Sequence, residues 1–179
     1  MVQAAGLPGR DILESILSAL RGRSFLRRVG VESVTDVVDP ATRSRMMSGI
    51  RGRNTKPEIV VRKALFAAGF RFRLHRKDLP GCPDLVLPRH RVAVFVHGCF
   101  WHRHPGCKYA YTPKSRLDFW LPKLAKNVER DINAQRALEV SGWRVSIIWE
   151  CQTKNTDTLR TEIQKMINPE VGGQHIATE

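Results

Sequence analysis

LPGCPDLVLPRHRVAVFVHGCFWHRHPGC, from Leu79 to Cys107, is the stretch whose reading decides the fold. It contains a Pro/Gly turn, a short apolar run from Asp84 to Leu87, and a second run, RVAVFV, from Arg91 to Val96. Short β-branched runs bounded by turn residues read as strands. The second run is apolar at nearly every position, as in a strand covered on both faces. It leads directly into His97–Cys107, where three histidines, two cysteines, Phe100 and Trp101 crowd together.

Working outward, FRFRL (Phe70 to Leu74) alternates with period two and predicts a half-buried strand. Before it, Thr55-Lys56-Pro57-Glu58 is a capping box that opens a helix, and Gly69 is placed to end that helix. Asp39-Pro40 signals an earlier helix start, with Arg43, Arg45 and Arg51 giving that helix a basic side. On the other flank, the longest helix runs from Ser115 to about Ser141. Ser115-x-x-Asp118 is its expected cap and Gly142 its expected stop. Trp143 to Trp149 reads as a strand, and a last helix spans about Asp157 to Ile167. The order α-α-β-β-β-α-β-α implies an α/β domain with a mixed central sheet flanked by helices. This domain occupies residues 39–168. Residues 1–38 form an extension with one amphipathic helical pattern, on Ile12, Leu13, Ile16, Leu17 and Leu20, followed by a basic run. Residues 169–179 form a polar tail.

Thirty Lys and Arg against seventeen Asp and Glu give a net charge of +13, which predicts a polyanionic partner, nucleic acid first. No apolar run reaches the ~18–20 residues of a spanning helix, and no secretory pattern is visible. The expected setting is the cytoplasm, on the nucleoid if the source is bacterial, with no membrane partner. Disulfides are rare there, so Cys82, Cys99, Cys107 and Cys151 read as metal ligands or buried thiols.

Cys99, His104 and Cys107 lie within nine residues, and a further cysteine can complete three thiolates and one imidazole around a structural zinc. By spacing, Cys82 and Cys151 compete for that fourth place. Pro83-Asp84 at a strand start, with a second strand ending about a dozen residues later, resembles the PD-x(n)-(D/E)-x-K organisation of restriction-type nucleases. In that organisation a carboxylate helps to hold Mg2+. Alone, Asp84 reads better as a turn aspartate capping Gly81-Cys82-Pro83. Val96 stands where the usual second acid would be, offering only its backbone carbonyl. His102 is the candidate general base and His97 a second candidate near the same strand end; a surface histidine is the competing reading. Glu58 is accounted for by the capping box. Phe100, Trp101 and Trp120 suit either core packing or stacking against bases.

Taken together, ATRSRMMSGIRGRNTKPE, LPGCPDLV, FVHGCFWHRHPGC, DFWLPKLAKNVERD and GWRVSIIWEC resemble the very short patch repair (Vsr) mismatch endonucleases, over about Asp39 to Ile167. The resemblance implies a restriction-endonuclease-like core with one structural zinc, held by Cys99, His104, Cys107 and Cys151. It also implies a Mg2+-dependent nick on the 5′ side of the thymine in a T:G mismatch in double-stranded DNA. Asp84 would be the catalytic carboxylate and Val96, through its carbonyl, a second Mg2+ ligand. His102 would activate water, with Glu58 and His97 in support. Two Mg2+ ions would serve the attacking and leaving oxygens. Phe100, Trp101 and Trp120 would form a wedge in the DNA. A monomer is expected, with repair-pathway proteins as further partners. The segment between His104 and Cys107 is one residue longer than the usual family form. The alternatives are a non-catalytic zinc-stabilised DNA-binding module and a restriction-type enzyme that cuts paired DNA.

Overall fold

A computed structural model of the protein describes Asp39, Ala41, Thr42, Arg45 and residues 52–168. The amphipathic pattern of the extension, the tail, and Arg43 and Arg51 of the first expected helix lie outside these residues. Where that helix is described, Asp39 does cap it: its Oδ1 accepts the Ala41 and Thr42 N–H groups at 2.9 Å each.

Helix α1, Lys56–Ala67, begins where the capping box predicts. Thr55 Oγ1 accepts the Glu58 N–H, and the Glu58 carboxylate reaches back to the Thr55 N–H, so two donors without helical partners are satisfied reciprocally. Strands β1 (Arg73–Leu74), β2 (Leu85–Leu87), β3 (Val92–His97) and β4 (Arg144–Trp149) form one sheet in that spatial order. The pairs β1–β2 and β2–β3 are antiparallel, whereas β3 and β4 run parallel. The parallel crossover is made by helix α2, Leu117–Val140, and helix α3, Thr156–Ile167, closes the described chain.

Alternation along β3 divides the core. Val92 and Val94 join Leu85, Leu87 and Ile148 on the face covered by Val61 and Leu65 of α1 and by Leu159, Ile163 and Met166 of α3. Ala93 and Phe95 point the other way, against Leu138 of α2. Every β3 residue except Val96 is buried, which is why the strand is apolar almost throughout. Just before Asp84, Gly81 has φ +72, and a Cβ there would lie 2.5 Å from the Ala134 Cβ. Only glycine lets this turn lie against α2, and the close approach sets where Asp84 starts β2.

Two local expectations need correction. FRFRL pairs only at Arg73 and Leu74. The Phe70 N–H is held by the Leu65 carbonyl at the end of α1, and at His75 the backbone turns left-handed, with φ 46, which ends the strand. The long helix is not capped by Ser115. Its N-cap is Arg116, itself left-handed at φ 51 and without a side-chain capping bond. The Arg116 guanidinium lies 5.0 Å over the Phe119 ring instead. The last helix starts one residue earlier than expected, because the Asn155 side chain accepts the Asp157 and Thr158 N–H groups.

Candidate active site and metal centre

The carboxyl ends of β3 and β4, the turn before β2 and the middle of α2, from Lys123 to Ala134, surround an open cleft of about 760 Å3. Asp84 and His102 both line it. The Asp84 Oδ2 accepts the Val96 N–H at 2.8 Å, so the twelve-residue spacing seen in the sequence is the span of the β2–β3 hairpin. Burial raises the Asp84 carboxyl to about 6, and neighbouring Glu58 adds to the rise against the opposing Val96 hydrogen bond. A carboxylate held at that cost in a cleft is a ready site for a hard cation.

Across the cleft, His102 Nδ1 lies 2.5 Å from Asp131 Oδ2. A carboxylate can only accept, so it draws the imidazole proton to Nδ1 and leaves the Nε2 lone pair available as a base. His97 is buried and stacks on His102, with centroids 3.9 Å apart and planes 12° from parallel. Burial, then the charge of His102, depresses His97 to about 3, so it is a neutral packing partner for His102. Glu58 is buried and saturated. Its two oxygens accept from the Asn54 and Thr55 N–H groups, the Thr55 hydroxyl and Arg62. Val96 lines the cleft beside Asp84.

The cysteine and histidine cluster sits beside this site. The ligand atoms of Cys99, His104, Cys107 and Cys151 all lie within 4.8 Å of one another. His104 Nδ1 is 3.6 Å from the Cys99 sulfur and 3.3 Å from that of Cys151. A tetrahedral zinc with Zn–S and Zn–N bonds of about 2.3 and 2.0 Å has S···N edges of roughly 3.5 Å, so the donor set fits that ion. The extra residue is absorbed by Pro105-Gly106, where Gly106 takes φ 65 and the Cys107 N–H bonds to the His104 carbonyl. The His104 ring stacks flat on Trp149 at 4.2 Å, which fixes its direction. Burial pushes the Cys99 thiol up to about 12, a cost that a bound divalent cation removes by taking the thiolate. Cys82 is not in the cluster.

Phe100 meets Trp101 and Trp120 edge to face at 5.1 and 5.6 Å, and the two indoles lie tilted 6.0 Å apart. The cluster extends further than expected: Tyr111 packs 5.1 Å from Phe100, and Phe119 lies 5.2 Å from Trp120. Both are more exposed than the three residues expected as a wedge. Lys123 Nζ lies within 5.8 Å of the Trp101, Phe119 and Trp120 rings, so positive charge accompanies the aromatic surface.

Residues 35–108 match the family model described as DNA mismatch endonuclease Vsr. The chain is 46% identical over 136 residues to the type II nicking enzyme V.XorIIP of Xanthomonas oryzae pv. oryzae, covering 76% of this chain and 99% of that protein. It is 43% identical over 129 residues to the DNA mismatch endonuclease Vsr of Escherichia coli, covering 72% and 82%. The chain belongs to the Vsr family. It is a DNA endonuclease.

For a Vsr-family enzyme the described residues hold two features that sequence reasoning missed. Asp131 is one: it is the last residue of the DFWLPKLAKNVERD block, but nothing in its spacing singled it out. His75 is the other, in a cluster with Glu58 and Asp84 whose ligand atoms lie within 4.8 Å of each other. No sequence pattern flagged His75, because its position depends on the left-handed turn at its own backbone. Among the described residues, no helix is long and apolar enough to cross a membrane.

Proposed function

We propose that this endonuclease nicks one strand of double-stranded DNA on the 5′ side of the thymine in a T:G mismatch, the lesion left by deamination of 5-methylcytosine. The observation that carries the reading is that Asp84 and the Asp131-oriented His102 face one cleft. In this reading His102 takes a proton from the attacking water through Nε2. Asp131 accepts from the imidazolium that forms and stabilises it, while His97 holds the ring plane by stacking. General-base assistance of this kind is worth roughly 10²–10⁴-fold in rate. Asp84 and the Val96 carbonyl would hold Mg2+, and a second Mg2+ would share the cleft. Bound there, the cations supply charge stabilisation to the oxygens of the phosphoryl centre. Lys123 and Arg130, both in the cleft wall, suit the scissile strand's phosphates. Glu58 contributes negative charge and holds α1 in place, its oxygens being already engaged.

The wedge reading is supported by energetics. Unstacking one base step costs a few kcal/mol, and each aromatic–base contact returns about 1–3 kcal/mol. Phe100, Trp101 and Trp120 together can offset one insertion, and a weakly paired mismatch lowers the cost further. Zinc on Cys99, His104, Cys107 and Cys151 would stiffen the turn carrying Phe100, Trp101 and His102, within the restriction-endonuclease-like core proposed for this chain. Cleavage of a single strand, rather than of both, is supported by the nicking activity in the names of several relatives. The enzyme would act as a monomer, in the cytoplasm on nucleoid DNA, alongside repair-pathway proteins.

The deciding experiment is a set of end-labelled duplexes, each with one mismatch in varied flanking sequence, incubated with Mg2+. Cleavage confined to the thymine strand of T:G duplexes is expected. Linearisation of mismatch-free supercoiled plasmid would instead point to a restriction-type enzyme. Binding of T:G duplex without any cut, in every flanking sequence tried, would reduce the protein to a mismatch-binding module.

A further inference from the structure

The mechanism leaves one half-buried imidazole unused. The His75 side chain lies between the carboxylates of Glu58 and Asp84, with Nε2 3.8 Å from Glu58 Oε2 and Nδ1 3.9 Å from Asp84 Oδ1. Its backbone is committed to this position. The His75 N–H bonds to the Asp84 carbonyl at 3.3 Å, and φ is 46, a conformation that non-glycine residues rarely hold.

The tautomer follows from Arg62. Its Nη2 lies 3.0 Å from His75 Nε2, and a guanidinium only donates. Nε2 must therefore present its lone pair, and the ring proton sits on Nδ1, facing Asp84. This excludes Nδ1 as an inner ligand of a cation, because ligation would move the proton to Nε2 and set it against the Arg62 N–H. Yet 3.9 Å is too long for a direct hydrogen bond and is a separation that one water can bridge. Mg2+ keeps several waters when protein carboxylates bind it.

We propose that His75 is a positioning residue of the cation site: its Nδ1–H anchors a water of the hydration shell of the ion that Asp84 holds, with Arg62 fixing the tautomer. This rests on the reading of Asp84 as a cation ligand. It keeps the inner shell all-oxygen, and so suited to Mg2+ rather than to metals that prefer imidazole. Glutamine should substitute, since its carbonyl can accept from Arg62 while its amide donates toward Asp84.

Mn2+ binding to the full-length protein, followed by the loss of the free-ion EPR signal, tests this without relying on activity. His75→Ala should weaken Mn2+ binding by roughly 10–100-fold, the usual cost of losing such an outer partner. His75→Gln should retain most of the affinity. Equal losses in both variants, or no loss in His75→Ala, would overturn the proposal. So would a pulsed-EPR nitrogen coupling on bound Mn2+ that disappears in His75→Gln, because the imidazole would then sit on the ion itself. Wild-type protein that binds no Mn2+ at millimolar concentration would overturn the Asp84 reading and this one with it, an outcome distinct from the other three.

Discussion

Asp84→Asn should make the cation-free protein more stable while abolishing nicking. The Asp84 carboxyl sits at about 6 against 3.8 for an unperturbed aspartate, with burial as the main cause. The folded protein therefore keeps a proton there, over the range from about pH 3.8 to 6, that the unfolded chain has released. Stability contributed at this position falls as pH rises through that window, and the full cost is present above about pH 6. At about 1.36 kcal/mol for each tenfold in proton affinity, the cost near pH 7.5 is about 3 kcal/mol. Asparagine keeps an acceptor for the Val96 N–H and removes the charge. Its Tm without Mg2+ should exceed wild type by about 6–12 °C at pH 7.5, and the difference should close toward pH 4. Saturating Mg2+ should raise the wild-type Tm, since it binds only the folded state, and leave the variant unmoved. Calorimetry at both pH values, with and without Mg2+, measures all of this. A variant equal to or less stable than wild type at pH 7.5 would refute the argument that the ionised carboxylate is held against its solvation.

Asp131→Asn should lower kcat by roughly 10²–10⁴-fold with little change in affinity for mismatched duplex, because the amide lacks the negative charge that fixes the His102 tautomer and stabilises its imidazolium; single-turnover nicking and gel-shift titrations separate the two. Elemental analysis should find about one zinc per chain, and Cys151→Ser should lose it and melt at a lower temperature; a fully loaded variant would contradict the assigned ligand set. Gly81→Ala should destabilise by roughly 2–4 kcal/mol, combining a left-handed backbone with the clash against Ala134, as read by urea unfolding.

What was legible in the sequence was mostly local. The Thr55–Glu58 box could be read because its hydrogen bonds join residues three apart. Strand β3 could be read because burial on both faces leaves an apolar run. The same local reading failed at Ser115, where Arg116 turned left-handed to lay its guanidinium on Phe119 and moved the helix start past the expected cap. Asp84 carried almost no signal of its own; it gained one from the hairpin that brings the Val96 N–H onto its side chain. Asp131 and His75 depend on tertiary placement, and spacing rules contain no term for it. Spacing also left Cys151 and Cys82 open; the family resemblance implied Cys151, and the parallel register of β3 and β4 brings Cys151 to His104.

That register has a bearing on how the nuclease comes into being. Val92 pairs with Arg144 and His97 with Trp149, partners 52 positions apart on the chain. Such non-local parallel contacts are the slow steps of folding, because a long loop must close before any contact rewards it. Asp84, His102 and Asp131 all leave the ribosome before the strand that aligns their platform. A nascent or prematurely truncated chain thus carries Asp84, His102 and Asp131 without the scaffold that brings them to one cleft, and the genome meets this folded endonuclease only after synthesis has passed β4.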